Sequence, residues 1–102
     1  MPVDILADTD TRTRLALLGR ALSNPLRVRI AVALMDRDEA SPSELAKDLD
    51  ESLGNLSYHV RYLYDLGFLE LSRMVPRRGA LEHFYRLQPP LRAMLTALGH
   101  WH

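Results

Sequence analysis

Cysteine is absent from the 102 residues. That absence removes a disulfide framework, a zinc-thiolate site, a thiol nucleophile and a thiol redox switch. Lysine is nearly absent as well, since Lys47 is the single lysine beside twelve arginines. This can reflect coding bias, yet a guanidinium is also the better fork for phosphate and guanine. Long apolar runs are missing: none approaches the roughly 18 residues that a membrane span needs. The opening MPVDILADTD is acidic, without the basic start of a signal peptide. The expectation is a cytoplasmic protein with no membrane partner. Internal repeats and low-complexity linkers are also lacking. What is present fits one folded domain, with 47% apolar and 25% charged residues. Residues 1–10 read as a lead-in and residues 11–102 as the domain.

Net charge is zero, but it is unevenly spread. Residues 1–56 carry seven basic against ten acidic side chains, and residues 57–102 carry six arginines against Asp65, Glu70 and Glu82. The global balance does not advertise nucleic-acid binding, but positive charge is concentrated in the C-terminal half.

The apolar periodicity changes once along the chain. TRTRLALLGRALS, residues 11–23, sets Leu15, Leu18, Ala21 and Leu22 at helical spacing. Asn24 then caps a second helix with Pro25 at its first position, where the missing N–H costs nothing. Leu26, Ile30, Ala33 and Leu34 mark its inner face. After DRDEA, Ser41, Pro42 and Glu44 form the signature of a capping box for a third, short helix with Leu45, Ala46 and Leu49 inward. Asp50 and Glu51 make a turn, Ser52 caps a fourth helix over 52–66, and Gly67 ends it. Beyond Gly67 the period falls to two. Residues 68–74 and 80–87 read as strands joined through the turn residues VPRRG, giving a hairpin with a basic tip. Pro89 and Pro90 open a last helix over about 89–99.

The fourth helix poses the functional question. On LGNLSYHVRYLYDL, Leu56, Val60 and Leu63 share the core side, while Gly54, Tyr58, Arg61 and Asp65 lie opposite, flanked by Asn55, Ser57 and Tyr62. A solvated face is usually rich in Glu, Lys, Gln and Ala, whereas these residues, apart from Arg, are middling or poor helix formers that suit contact. A short helix, a tight turn and a second helix with such a face make a helix-turn-helix, and the hairpin after it is the wing. The fold class is mainly α with a small β-hairpin. SNPLRVRI, SELAKDLD, LSYHVRYLYDLGFLE and RRGALEHFYRL together resemble the winged helix-turn-helix regulators of the ArsR superfamily, over residues 11–98. The pattern carried by Ser57, His59, Val60, Leu63, Gly67, Phe68 and Leu69 is its most specific part.

The resemblance implies that helices three and four read double-stranded DNA and that helices one and five pair with a second subunit. The residues agree with a homodimer. Leu91, Met94, Leu95, Leu98 and Trp101 form a surplus stripe suited to packing with Leu15, Leu18 and Leu22; the competing use is to cover the domain's own core. A twofold protein reads an imperfect palindrome. The absence of room for an activation domain favours a repressor.

The expected DNA contacts are Ser52, Gly54, Asn55, Ser57, Tyr58, Arg61 and Tyr62 on helix four, with Arg73, Arg77 and Arg78 on the wing at 73–80. Arg61 suits guanine O6 and N7 or phosphate, with a solvated bridge to Asp65 as the alternative. Tyr58 and Tyr62 suit thymine methyls or phosphate. Ser57 and Asn55 suit phosphate or adenine, or plain helix-end hydrogen bonding. Gly54 lets backbone approach a phosphate. Arg77 and Arg78 suit phosphate or the minor groove. Ser57, His59 and Asp65 do not make a catalytic triad, because neighbours on one helix fan apart. No enzyme activity and no cofactor are expected. His59 reads as a packed, hydrogen-bonded histidine. His100 and His102, two apart, do not share a helix face, and the thiolates of the arsenic-sensing site are missing, so no metal is expected and any effector stays unnamed. The rival function is a winged-helix protein-interaction module that does not bind DNA.

Overall fold

The computed structural model describes residues 11–99. Seven elements follow in order: α1 Thr11–Ala21, α2 Pro25–Asp36, α3 Pro42–Leu49, α4 Leu53–Asp65, β1 Leu69–Arg77, β2 Ala80–Leu87 and α5 Pro89–Gly99. This is the winged helix-turn-helix architecture expected from the sequence.

Local chemistry accounts for the boundaries. The Asn24 side chain accepts from the N–H groups of Leu26 at 2.9 Å and Arg27 at 3.3 Å, which starts α2. Ser41 and Glu44 complete a reciprocal capping box at α3, at 3.2 and 3.1 Å. Asp50 leaves α3 in the left-handed region, φ 54°, a conformation its short polar side chain tolerates. Ser52 then caps α4 by accepting from Asn55 N–H at 3.2 Å. At the other end of α4, Phe68 N–H reaches Leu63 C=O at 2.9 Å and Gly67 N–H reaches Tyr64 C=O at 3.0 Å. That pair of bonds is a Schellman motif, and Gly67 supplies its positive φ of 85°.

The core gathers Ile30 and Leu34 from α2, Leu45 from α3, Leu56, Val60 and Leu63 from α4, and Phe68, Leu69, Leu87 and Leu91 around the hairpin and α5. α4 packs on α2, α3 and β1, whereas α1 and α5 are the helices least packed against the rest of the described chain.

The hairpin differs from the sequence expectation in two respects. β1 runs to Arg77, so Val75, Pro76 and Arg77 are strand, and the turn is only Arg78 and Gly79, at φ 47° and 84°. Two positive φ values are what a tight two-residue hairpin demands. Pro76 is tolerated because a two-stranded ribbon leaves one edge of β1 unpaired. The second difference is a register shift between Leu71 and Arg73 that makes Ser72 a bulge, with Ala40 bridging to Tyr85 through bonds of 3.0 and 2.9 Å. DRDEA thus holds a bridging residue, which its polarity concealed.

α5 brings a correction. Leu91, expected on the dimer face, is fully buried in the domain's own core. Its helix is docked by Arg92, whose guanidinium donates to the C-terminal carbonyls of α2 at Leu34 and Met35, at 2.6 and 2.7 Å. Met94 and Leu98 remain exposed, as does Leu15 on α1, while Leu18, Leu22 and Leu95 are half-buried against the core. Trp101, His100 and His102 lie outside the described residues.

Candidate nucleic-acid interface

α4 presents the expected polar face. Tyr58 is 63% exposed, the Arg61 side chain 74%, and Ser52, Gly54 and Asn55 are exposed beside them, with Ser57 half-buried. A Cβ built on Gly54 meets nothing within 4 Å, so that position faces open space. Ser52 Oγ is engaged in its capping bond, and Asn55 donates to Glu51 at 3.4 Å. Arg61 donates through Nε to Asp65 at 3.4 Å, the bridge named above as the alternative. At that exposure such a pair adds little to folding stability.

Tyr62 sits differently from the expectation of a free contact. Its ring lies under the guanidinium of Arg27, 4.2 Å from the ring centroid, and the residue is half-buried. Arg27 itself is a residue that sequence reasoning counted only as charge. It is buried, donating to Ala21 C=O at 2.8 Å, Arg20 C=O at 3.0 Å, Ser23 Oγ at 3.2 Å and His59 Nδ1 at 3.0 Å. Because a guanidinium has no acceptor, His59 Nδ1 must accept, which leaves the imidazole neutral with its proton on Nε2. Burial, then the Arg27 charge, lowers the His59 pKa, with Glu51 opposing. The arginine thereby links the end of α1 to the inner side of α4. The signal that pointed to it was spacing, since residue 27 falls on the stripe of Ile30, Ala31 and Leu34.

On the wing, Arg73 stacks over Phe84 at 4.1 Å and pairs with Glu39, and Arg77 donates to Glu82 at 2.9 Å. Arg78, at the tip, has no side-chain partner among the described residues. Met74 and Leu81 are exposed on the same hairpin. The wing is tied to the helix-turn-helix through carboxylates. Ser72 donates to Glu39 at 2.6 Å, and hydrogen bonds from Ser72 and then Arg73 hold the Glu39 carboxyl below its usual range. Bonds from Ser41 and Arg77 do the same for Glu82. Tyr64 of α4 meets Tyr85 of β2 edge-on, with ring centroids 5.6 Å apart.

Among the described residues no three His, Asp or Glu are grouped to hold a metal ion, and no helix is long and apolar enough to cross a membrane. The arrangement offers hydrogen-bond donors, a stacking ring and arginines on one helix and one hairpin, which is the equipment for reading a duplex.

Comparison with known proteins gives the family. Residues 22–72 match the family model described as a helix-turn-helix domain. No curated protein matches the chain. Among solved structures, HlyU from Vibrio cholerae N16961 is 26% identical, covers 88% of this chain and 94% of its own, and has a TM-score of 0.67. The cadmium metal-sensor CmtR from Mycobacterium tuberculosis is 32% identical over 84% of each chain, with a TM-score of 0.60. The homodimeric winged helix-turn-helix DNA-binding domain Mb0332 from Mycobacterium bovis shares the fold, at 22% identity over 95% and 94% of the two chains, TM-score 0.63. With the family model spanning half of the chain and CmtR above 30% identity, the chain belongs to the helix-turn-helix family, among the ArsR-like winged helix-turn-helix DNA-binding transcriptional regulators.

Proposed function

We propose that this protein is a cytoplasmic homodimeric repressor that binds a palindromic double-stranded DNA operator, with α4 in the major groove and the wing on the flanking backbone. The observation that carries the reading is the exposed face of α4, with Gly54, Asn55, Tyr58 and Arg61, followed by a hairpin bearing Arg73, Arg77 and Arg78. Repression follows from occlusion, since a dimer seated on two successive major grooves covers the DNA that polymerase must use. Pairing is supported by apolar exposure on the two least packed helices, at Leu15, Met94 and Leu98, continuous with half-buried Leu18, Leu22 and Leu95. Mb0332, whose fold this chain shares, is itself homodimeric.

Sequence-independent affinity comes from phosphate neutralisation at the wing, which makes it salt-dependent. The test is the slope of log affinity against log salt for the wild type and for Arg77→Ala with Arg78→Ala. In the homodimer both wings change, so four phosphate contacts are lost, which lowers the slope by roughly four and weakens all sequences alike. An unaltered slope would remove the wing from the interface.

A further inference from the structure

Three arginines of the proposed DNA face are gripped in one way. Arg61 is held by Asp65, Arg77 by Glu82 and Arg73 by Glu39, each through Nε. Among the described residues no hydrogen bond engages the terminal nitrogens Nη1 and Nη2 of any of them. That outer edge is the one left to pair bidentately with guanine O6 and N7, and a guanidinium held by Nε has its plane and direction set beforehand.

Glu39 has a second task, because it accepts from Ser72 and so ties the wing to the helix-turn-helix, and Glu82 has its carboxyl pKa lowered by Ser41 of the helix-turn-helix. Asp65 accepts no second hydrogen bond among the described residues, and beyond Arg61 its charge acts only weakly on the Tyr85 hydroxyl. Helix stability does not account for it either. As the last residue of α4 it places a carboxylate at the negative end of the helix dipole. The arginine precedes the acid, which is the weaker order for a pair four residues apart. With side chains 74% and 57% exposed, the bridge adds little to folding.

Building on the DNA reading above, we infer that Asp65 is a positioning residue for sequence specificity. It holds Arg61 by Nε so that the Nη1 and Nη2 edge meets a guanine in the major groove. Its own charge repels phosphate where no guanine is offered, so it disfavours unselected DNA. One carboxylate thus raises the cost of a wrong sequence and lowers the disorder of the right contact.

The test uses the full chain as wild type, Asp65→Asn, Arg61→Ala and the double variant, with equal thermal melts as the check on folding. Fluorescence anisotropy measures Kd for a duplex selected from a random pool and for a scrambled duplex of the same length. Asp65→Asn is expected to weaken the selected duplex about five- to tenfold and to leave the scrambled duplex unchanged or up to about threefold tighter. Repeating the selection with Asp65→Asn should flatten the preference for guanine at one position in each half-site. In the Arg61→Ala background the same substitution should leave discrimination untouched. Equal shifts on both duplexes in the wild-type background, or a change in discrimination that persists without Arg61, overturn the role of Asp65. A wild type that selects no sequence overturns the DNA reading itself, and this role with it.

Discussion

A buried guanidinium with no carboxylate among its partners is costly unless each of its nitrogens is matched. Arg27 meets that condition with two carbonyls at the C-terminus of α1, where the helix dipole is negative, together with a hydroxyl, an imidazole nitrogen and the face of Tyr62. Arg27→Ala should therefore destabilise the fold by about 3 kcal/mol, read by urea unfolding, because it orphans His59 Nδ1 and the end of α1 together. A pH dependence follows from His59, whose folded pKa lies below its ordinary 6.5. Above 6.5 the ring is neutral in both states and its contribution is complete. As pH falls, the unfolded chain takes the proton first, so stability declines until folded His59 is protonated too. Between about pH 7 and about pH 5 the wild-type urea midpoint should fall more than that of His59→Asn, which keeps an acceptor without titrating. Glu39 and Glu82, lowered from 4.5, lose their contributions only at more acid pH. At this scale the sequence disclosed that His59 packs and bonds, because it borders the apolar stripe of α4. It concealed the partner, because an arginine is read as surface until a structure shows each of its nitrogens bonded.

Elements were legible wherever chemistry marks their ends. Asn-Pro before α2, the Ser-Pro-x-Glu box before α3 and Gly67 after α4 each fix a boundary through a named hydrogen bond or a positive φ. The hairpin was blurred because its turn is Arg-Gly, whereas a tight turn with two positive φ values is usually announced by Asn-Gly or Asp-Gly. Arg78 at φ 47° is thus a residue placed against its own backbone preference, by about 1 kcal/mol. An arginine kept in that conformation at the wing tip points to a task for its charge. Arg78→Gly should leave the thermal midpoint unchanged or raise it, while weakening DNA binding on every sequence. A substitution that lowers both would mean that Arg78 serves the hairpin rather than the duplex. The Ser72 bulge and the Ala40 bridge left no comparable mark, since both depend on Glu39 and Tyr85, distant in sequence.

For the molecule as a whole, the order of helices and hairpin and the shared core were readable from the change of apolar period at Gly67. The division of α5 was not. A helical stripe shows which side chains share a face, but not how deep each one sits; Leu91 belongs to the domain's own core, while Met94 and Leu98 stay exposed. The same limit applies to α4, where Tyr62 lies at the margin of the polar face and its ring is taken by Arg27. The exposed remainder still describes a molecule with a reading helix, a basic wing and two loosely packed apolar helices. In the function proposed above, two such domains read one duplex together. Selection of bound duplexes from a randomised pool, with purified protein at near-physiological salt, tests it most directly. A dimeric reader should enrich a twofold-symmetric motif whose half-sites lie about one helical turn apart, with guanine at one position in each. No enrichment, or a motif without symmetry, would contradict it.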